Sequence, residues 1–160
     1  MIEIKEVVRR LILHEGLRLH PYNCCKGKKT IGVGRNLQDN PLTEKEKQHL
    51  GRSNLSSGIS KAEALYLLKN DIIKHKAECQ KNIPFFYELS DERQYALLDM
   101  CFNLGIKGLL KFKKMLYAMS IGDFQGAGKE CLNSRYAQEV GLRAVRISHL
   151  ITKGEWSELR

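Results

Sequence analysis

Apolar residues recur at helical spacing along most of this chain, and one segment, residues 17–37, breaks the pattern. Pro21, Gly27, Gly32 and Gly34 punctuate it, and Thr30-Ile31-Gly32-Val33 has the β-branched content of a strand. Lys26-Gly27-Lys28 reads as a hairpin turn. A chain of 160 residues holding one short sheet among helices is expected to be a single domain of the α+β class, mainly helical.

The helices follow from periodicity and caps. Residues 2–14 carry Ile4, Val7, Val8, Leu11 and Ile12 at the spacing of one buried stripe. Glu15 falls eleven residues after Ile4, close to the same azimuth, and Gly16 follows as a stop. Ser60-Lys61-Ala62-Glu63 is a capping box. It opens a helix with Leu65, Leu68, Ile72 and Ile73 that runs to about Asn82, before Pro84. Such a helix spans about 30 Å, enough to link two lobes. Ser90-Asp91-Glu92 caps the next, with Ala96, Leu97, Met100 and Cys101 facing the core and Gly105 ending it. Further helices fit 107–119, 122–133 and 141–152, the last closed by Gly154. The expected organisation is one domain, 1–160. A small N-terminal lobe (16–59) is followed by a linking helix (60–82) and a helical lobe (83–160), on which helix 2–14 packs.

Composition narrows the function classes. At 42% hydrophobic and 28% charged the chain has the makings of a core and is not disordered. No apolar run approaches the roughly 18 to 20 residues of a bilayer span, so membrane insertion is not expected. Acids interrupt any signal-peptide pattern in Met1-Ile2-Glu3-Ile4-Lys5-Glu6, which points to synthesis in a cytoplasm without an export signal. The 27 Lys and Arg against 18 acids leave +9, a charge suited to a polyanionic partner: nucleic acid, an anionic membrane face or an acidic wall polymer.

Five cysteines, two of them adjacent at 24 and 25, favour reduced thiols. Without a Cys-x2-Cys or a paired-histidine motif, neither a metal nor a cofactor is expected. Gly32-Val33-Gly34 lacks the third glycine of a dinucleotide loop, Leu37 standing there. Lys111-Phe112-Lys113-Lys114 reads as a solvated basic helical strip with Phe112 inward; no nucleic-acid motif accompanies it, and no nucleic-acid partner is expected. Cys79, Cys101 and Cys131 fall on apolar helical positions and read as core. Between Glu15 and Asp39 there is no acid, yet Arg18, Lys26, Lys28, Lys29 and Arg35 are present. Glu15 is thus a solitary carboxylate beside a basic hairpin, suited to general acid work or simply a solvated helix end. The same cations should lower the thiol pKa of Cys24.

Taken in order, these features resemble the phage-type lysozymes, glycoside hydrolase family 24. The likeness runs through His14-Glu15-Gly16-Leu17-Arg18-Leu19, Tyr22 and Thr30-Ile31-Gly32-Val33-Gly34. It continues in Gly58-Ile59-Ser60-Lys61-Ala62-Glu63-Ala64 and Met100-Cys101-Phe102-Asn103-Leu104-Gly105. Ser134-Arg135-Tyr136, Gly141-Leu142-Arg143-Ala144-Val145-Arg146 and Gly154-Glu155-Trp156 complete it. The family signature is a Glu, eight residues, an Asp or Cys, five residues, then a Thr, and Glu15, Cys24 and Thr30 meet both spacings.

The resemblance implies a two-lobed lysozyme-like fold and a muramidase cutting the β-1,4 bond between N-acetylmuramic acid and N-acetylglucosamine in peptidoglycan. It implies Glu15 as general acid, Cys24 at the position assisting water attack and Thr30 holding that water. Phe102 would be an aromatic in the saccharide cleft, and Arg143 a cation near the catalytic Glu. A monomeric endolysin released to the wall through a separate holin-type pore is the expected setting. Cys24 stands for the commoner Asp, Arg35 for a histidine and Tyr136 for a tryptophan, with Ala137 where many members carry another aromatic. Asn36, Met115 and Glu130 depart from the family's cleft and are not expected to bind. Whether Cys24 is base, nucleophile or bystander is open, and Cys24 with Arg35 raises an alternative: a degenerate lysozyme-fold module that binds peptidoglycan or a protein without cleaving.

Overall fold

In the computed structural model, which describes residues 2–156, the chain has the α+β architecture expected: a three-stranded antiparallel sheet near the N-terminus, then helices as far as Lys153. It divides into two compact units, Ile4–Ile73 and the remainder, with the boundary inside a long helix.

The first unit opens with α1 (Ile4–Glu15), which buries Val7 and Leu11. Ile4, expected on the same stripe, is exposed. The hairpin of β1 (Arg18–Asn23) and β2 (Lys29–Gly32) pairs Tyr22 with Thr30 and Asn23 with Lys29. Its turn lies over 25–27, one residue before the expected Lys26-Gly27-Lys28, and is closed by Gly27 N donating to Cys24 O at 2.8 Å. The register slips between Arg18 and Tyr22, the stretch containing Pro21, which has no N–H for the ladder. A two-residue β3 (Arg35–Asn36) completes the sheet by pairing with β2. Then come α2 (Glu44–Leu50) and α3 (Lys61–Asn82). The core gathers Ile31, Leu50, Leu55, Ile59, Ala64 and Leu67, with Leu17, Leu37, Leu42 and Tyr66 packed against it. Ile73, expected on the buried face of α3, is exposed, while Leu67, Leu68 and Ile72 are buried.

Arg35 has a structural task. It is buried, and all five of its N–H donors are used. Nη2 meets Glu46 Oε1 at 2.7 Å and Pro41 O at 3.1 Å; Nη1 meets Asp71 Oδ1 at 3.0 Å and Glu46 Oε2 at 3.1 Å; Nε donates to Asn40 O at 2.8 Å. One cation thus ties α2, α3 and the loop after β3 to the sheet. Burial pushes the Glu46 pKa up, but Arg35, the Thr43 N–H and Asn70 outweigh it and hold the carboxyl at about 2.

The second unit begins within α3, continues through a 3-10 turn (Phe86–Glu88) and adds α4 (Asp91–Leu109), α5 (Lys113–Ser120), α6 (Phe124–Leu132), α7 (Arg135–Val140) and α8 (Leu142–Lys153). Ala96, Leu97, Met100 and Cys101 on α4 are fully buried, as are Cys79 on α3 and Cys131 on α6. Gly105 (φ 76, ψ 163) breaks the helical path where a stop is expected, yet helix resumes to Leu109. The expected helix 107–119 is therefore two pieces. Lys111 and Phe112 occupy the break, so Lys111-Phe112-Lys113-Lys114 is not one helical strip; the Phe112 ring meets Tyr136 edge-on at 5.9 Å. Among the described residues no helix is long and apolar enough to cross a membrane.

Candidate active site

Glu15 is the last residue of α1, and the chain leaves the helix at Gly16, whose N–H donates to Ile12 O at 2.8 Å. The polypeptide then enters β1, crosses the hairpin and returns through the β2–β3 turn, which presents Gly34 to the Glu15 side chain. A Cβ built on Gly34 would stand 2.7 Å from Glu15 Oε2 and 2.9 Å from its carboxyl carbon. Gly34 has φ +67, so its place at this turn satisfies both a left-handed backbone and a close approach. The carboxylate is thereby seated on the backbone of the sheet, in a slot that a side chain would fill.

Tyr22 connects this carboxylate to the hairpin tip. Burial raises the Tyr22 pKa first, the negative charge of Glu15 raises it further and Cys24 adds to that; Arg18 opposes, its guanidinium carbon 4.1 Å from the centre of the Tyr22 ring. Cys24 is half-buried, and its thiol is held below the ordinary value. The cause differs from the expected cations: the backbone N–H groups of Lys26 and Lys28 donate to the sulfur, and the Thr30 hydroxyl adds a further hydrogen bond. Thr30 is buried opposite Tyr22, with Oγ1 donating to Lys28 O at 2.9 Å.

One unit therefore brings Glu15, Cys24 and Thr30 together, with Arg18 and Tyr22 among them. The sequence held a signal for that pair in the arginine placed four residues before an aromatic on the strand facing Thr30. Phe102 and Arg143 lie in the other unit. Phe102 is half-buried on α4, edge-on to the His75 ring at 5.5 Å. Arg143, on α8, donates through Nε to Asp99 Oδ1 at 2.9 Å; Asp99 is fully buried and accepts from Tyr95 OH at 2.8 Å. Chemically, the hairpin site holds a carboxyl able to carry a proton and a thiol biased toward thiolate beside a hydroxyl.

The phage lysozyme family matches residues 13–151 of this chain. A pre-baseplate central spike protein, Gp5, from Enterobacteria phage T4 is 30% identical over 96% of this chain, which spans 28% of that much longer protein. A probable T4-type lysozyme of Dictyostelium discoideum is 26% identical over 88% of this chain and 89% of its own length. An endolysin from Acyrthosiphon pisum secondary endosymbiont phage 1 is also 26% identical, over 81% of this chain and 77% of its own.

Proposed function

The chain belongs to the phage lysozyme family, and from that premise we propose that it is an active muramidase, hydrolysing the β-1,4 bond between N-acetylmuramic acid and N-acetylglucosamine in peptidoglycan. The observation that carries this reading is the Glu15 carboxyl seated on Gly34 in the same unit as a hydrogen-bonded Cys24–Thr30 pair. Protonated Glu15 gives its proton to the leaving glycosidic oxygen as the bond to the anomeric carbon breaks. Water held by Thr30 adds to that carbon, and its proton passes to the Cys24 thiolate. Exchange with solvent restores both groups. The family resemblance alone implies a saccharide-facing aromatic at Phe102 and a supporting cation at Arg143. The net charge of +9 suits an anionic wall polymer. In this reading the protein acts as a monomeric, bacteriolytic endolysin that reaches the wall from the cytoplasm through a separate pore.

The test is release of new reducing ends from purified cell walls. Glutamine keeps the shape of Glu15 without the proton, so Glu15→Gln should lose a factor of about 10² to 10⁴ in rate. Wall cleavage by Glu15→Gln at the wild-type rate would overturn the assignment. A second reading, a wall-binding module without hydrolysis, is favoured by one observation: position 24 offers a thiol where glycosidases commonly have a second carboxylate. Wild-type protein that cosediments with walls but releases no reducing ends would establish it. Arg35, the other departure that raised this alternative, is occupied by its ion pairs with Glu46 and Asp71.

A further inference from the structure

We propose that His75, Glu78 and Cys101 form a binding site for a zinc-class divalent cation, clipping α3 to α4 within the second unit. His75 and Glu78 stand one turn apart on α3 and so share a helix face. Cys101 reaches them from α4. One donor atom from each lies within 4.8 Å of the others. His75 Nδ1 is 3.0 Å from Glu78 Oε1 and 3.6 Å from Cys101 Sγ. Bond lengths to zinc of about 2.0 Å for nitrogen or oxygen and about 2.3 Å for sulfur give tetrahedral edges of about 3.3 Å for N···O and about 3.5 Å for N···S. The His75–Glu78 and His75–Cys101 separations are thus close to those edges, and the third lies within 4.8 Å.

The donor set also selects the ion. Thiolate and imidazole favour zinc and its neighbours over magnesium or calcium, which prefer all-oxygen shells. Cys101 is fully buried, while the Glu78 side chain keeps 30% of its exposure, leaving a way in for the ion and a fourth position for water. Cys101 supplies the sulfur donor of the site.

The full chain, reduced and stripped with chelator, is titrated with Co²⁺ as the spectroscopic probe. The expected result is one equivalent of Co²⁺ with a thiolate-to-cobalt charge-transfer band, displaced by Zn²⁺. The band should persist in Cys24→Ser/Cys25→Ser and vanish in Cys101→Ser and His75→Gln. Because Cys101 is buried and its replacement could unfold the protein, the half-exposed Glu78→Gln carries the test independently, with Co²⁺ binding weakened about tenfold or more. Absence of the band in wild type overturns the site and leaves a hydrogen-bonded cluster. So does a band lost with Cys24 and Cys25, or an affinity unmoved by Glu78→Gln.

Discussion

Gly34→Ala separates the seat of the Glu15 carboxylate from the strain of the turn that makes it. At φ +67 an alanine carries a left-handed backbone penalty of about 1–2 kcal/mol. Gly51, which ends α2 at φ +71 with nothing within 4 Å of an added Cβ, carries the same penalty and no clash. At Gly34 the new methyl would stand 2.7 Å from Glu15 Oε2, whereas ordinary contact begins at 3.4 Å. The far end of a glutamate moves cheaply, so stability should fall little more than in Gly51→Ala. The carboxyl, however, must retreat by a large part of an ångström. A misplacement of about 1 Å at a reacting group costs about 10²-fold in rate. Chemical denaturation and dye release from labelled walls, run on both variants, should therefore show matched stability losses of about 1–2 kcal/mol. A fall in kcat approaching 10²-fold should appear in Gly34→Ala only. Equal wall-cleaving rates in the two variants would refute the idea that the contact with Gly34 sets the position of the acid.

Arg35→Met should leave Glu46 and Asp71 buried without their cation and cost about 3–5 kcal/mol, read by urea denaturation; a loss under about 1 kcal/mol would mean the cluster contributes no more than a surface pair. In wild type, the Glu46 carboxyl sits at about 2 against an ordinary 4.5, so its contribution, on the order of 3 kcal/mol, is complete above about pH 4.5 and lost as pH falls toward 2. Glu46→Gln should flatten the melting temperature across that window, and an unchanged acid limb would contradict the assignment. With the Cys24 thiol lowered by backbone N–H groups, wall cleavage should rise with pH at values below the ordinary thiol titration and be strongly reduced in Cys24→Ala; full activity in that variant would remove Cys24 from the mechanism.

What could be read along the chain was local. Ser60 and Glu63 show it: N–H and side chain exchange hydrogen bonds at 2.9 and 3.1 Å across three residues, so the start of α3 is written in four letters. Thr43 and Glu46 form the same device and begin α2, but the seven-residue helix has too few turns to display a period, and it was not expected. The six-residue α7 escaped in the same way, although Ser134 caps it. Glu15, Cys24 and Thr30 were named from the family's signature spacing, and they fall on one helix end and one hairpin, both short-range structures. The cause of the Cys24 shift was not within reach: counting cations says nothing of two backbone N–H groups that point at the sulfur only once the 25–27 turn closes. Arg35 marks the limit most sharply. Its partners stand eleven and thirty-six residues away, so the same guanidinium that reads as a defect in a catalytic motif becomes, once α2 and α3 are placed, the counter-charge for two buried acids. A substitution at such a position changes the unit's stability before it changes its chemistry, and its kinetic effect carries meaning once the folded fraction has been measured beside it.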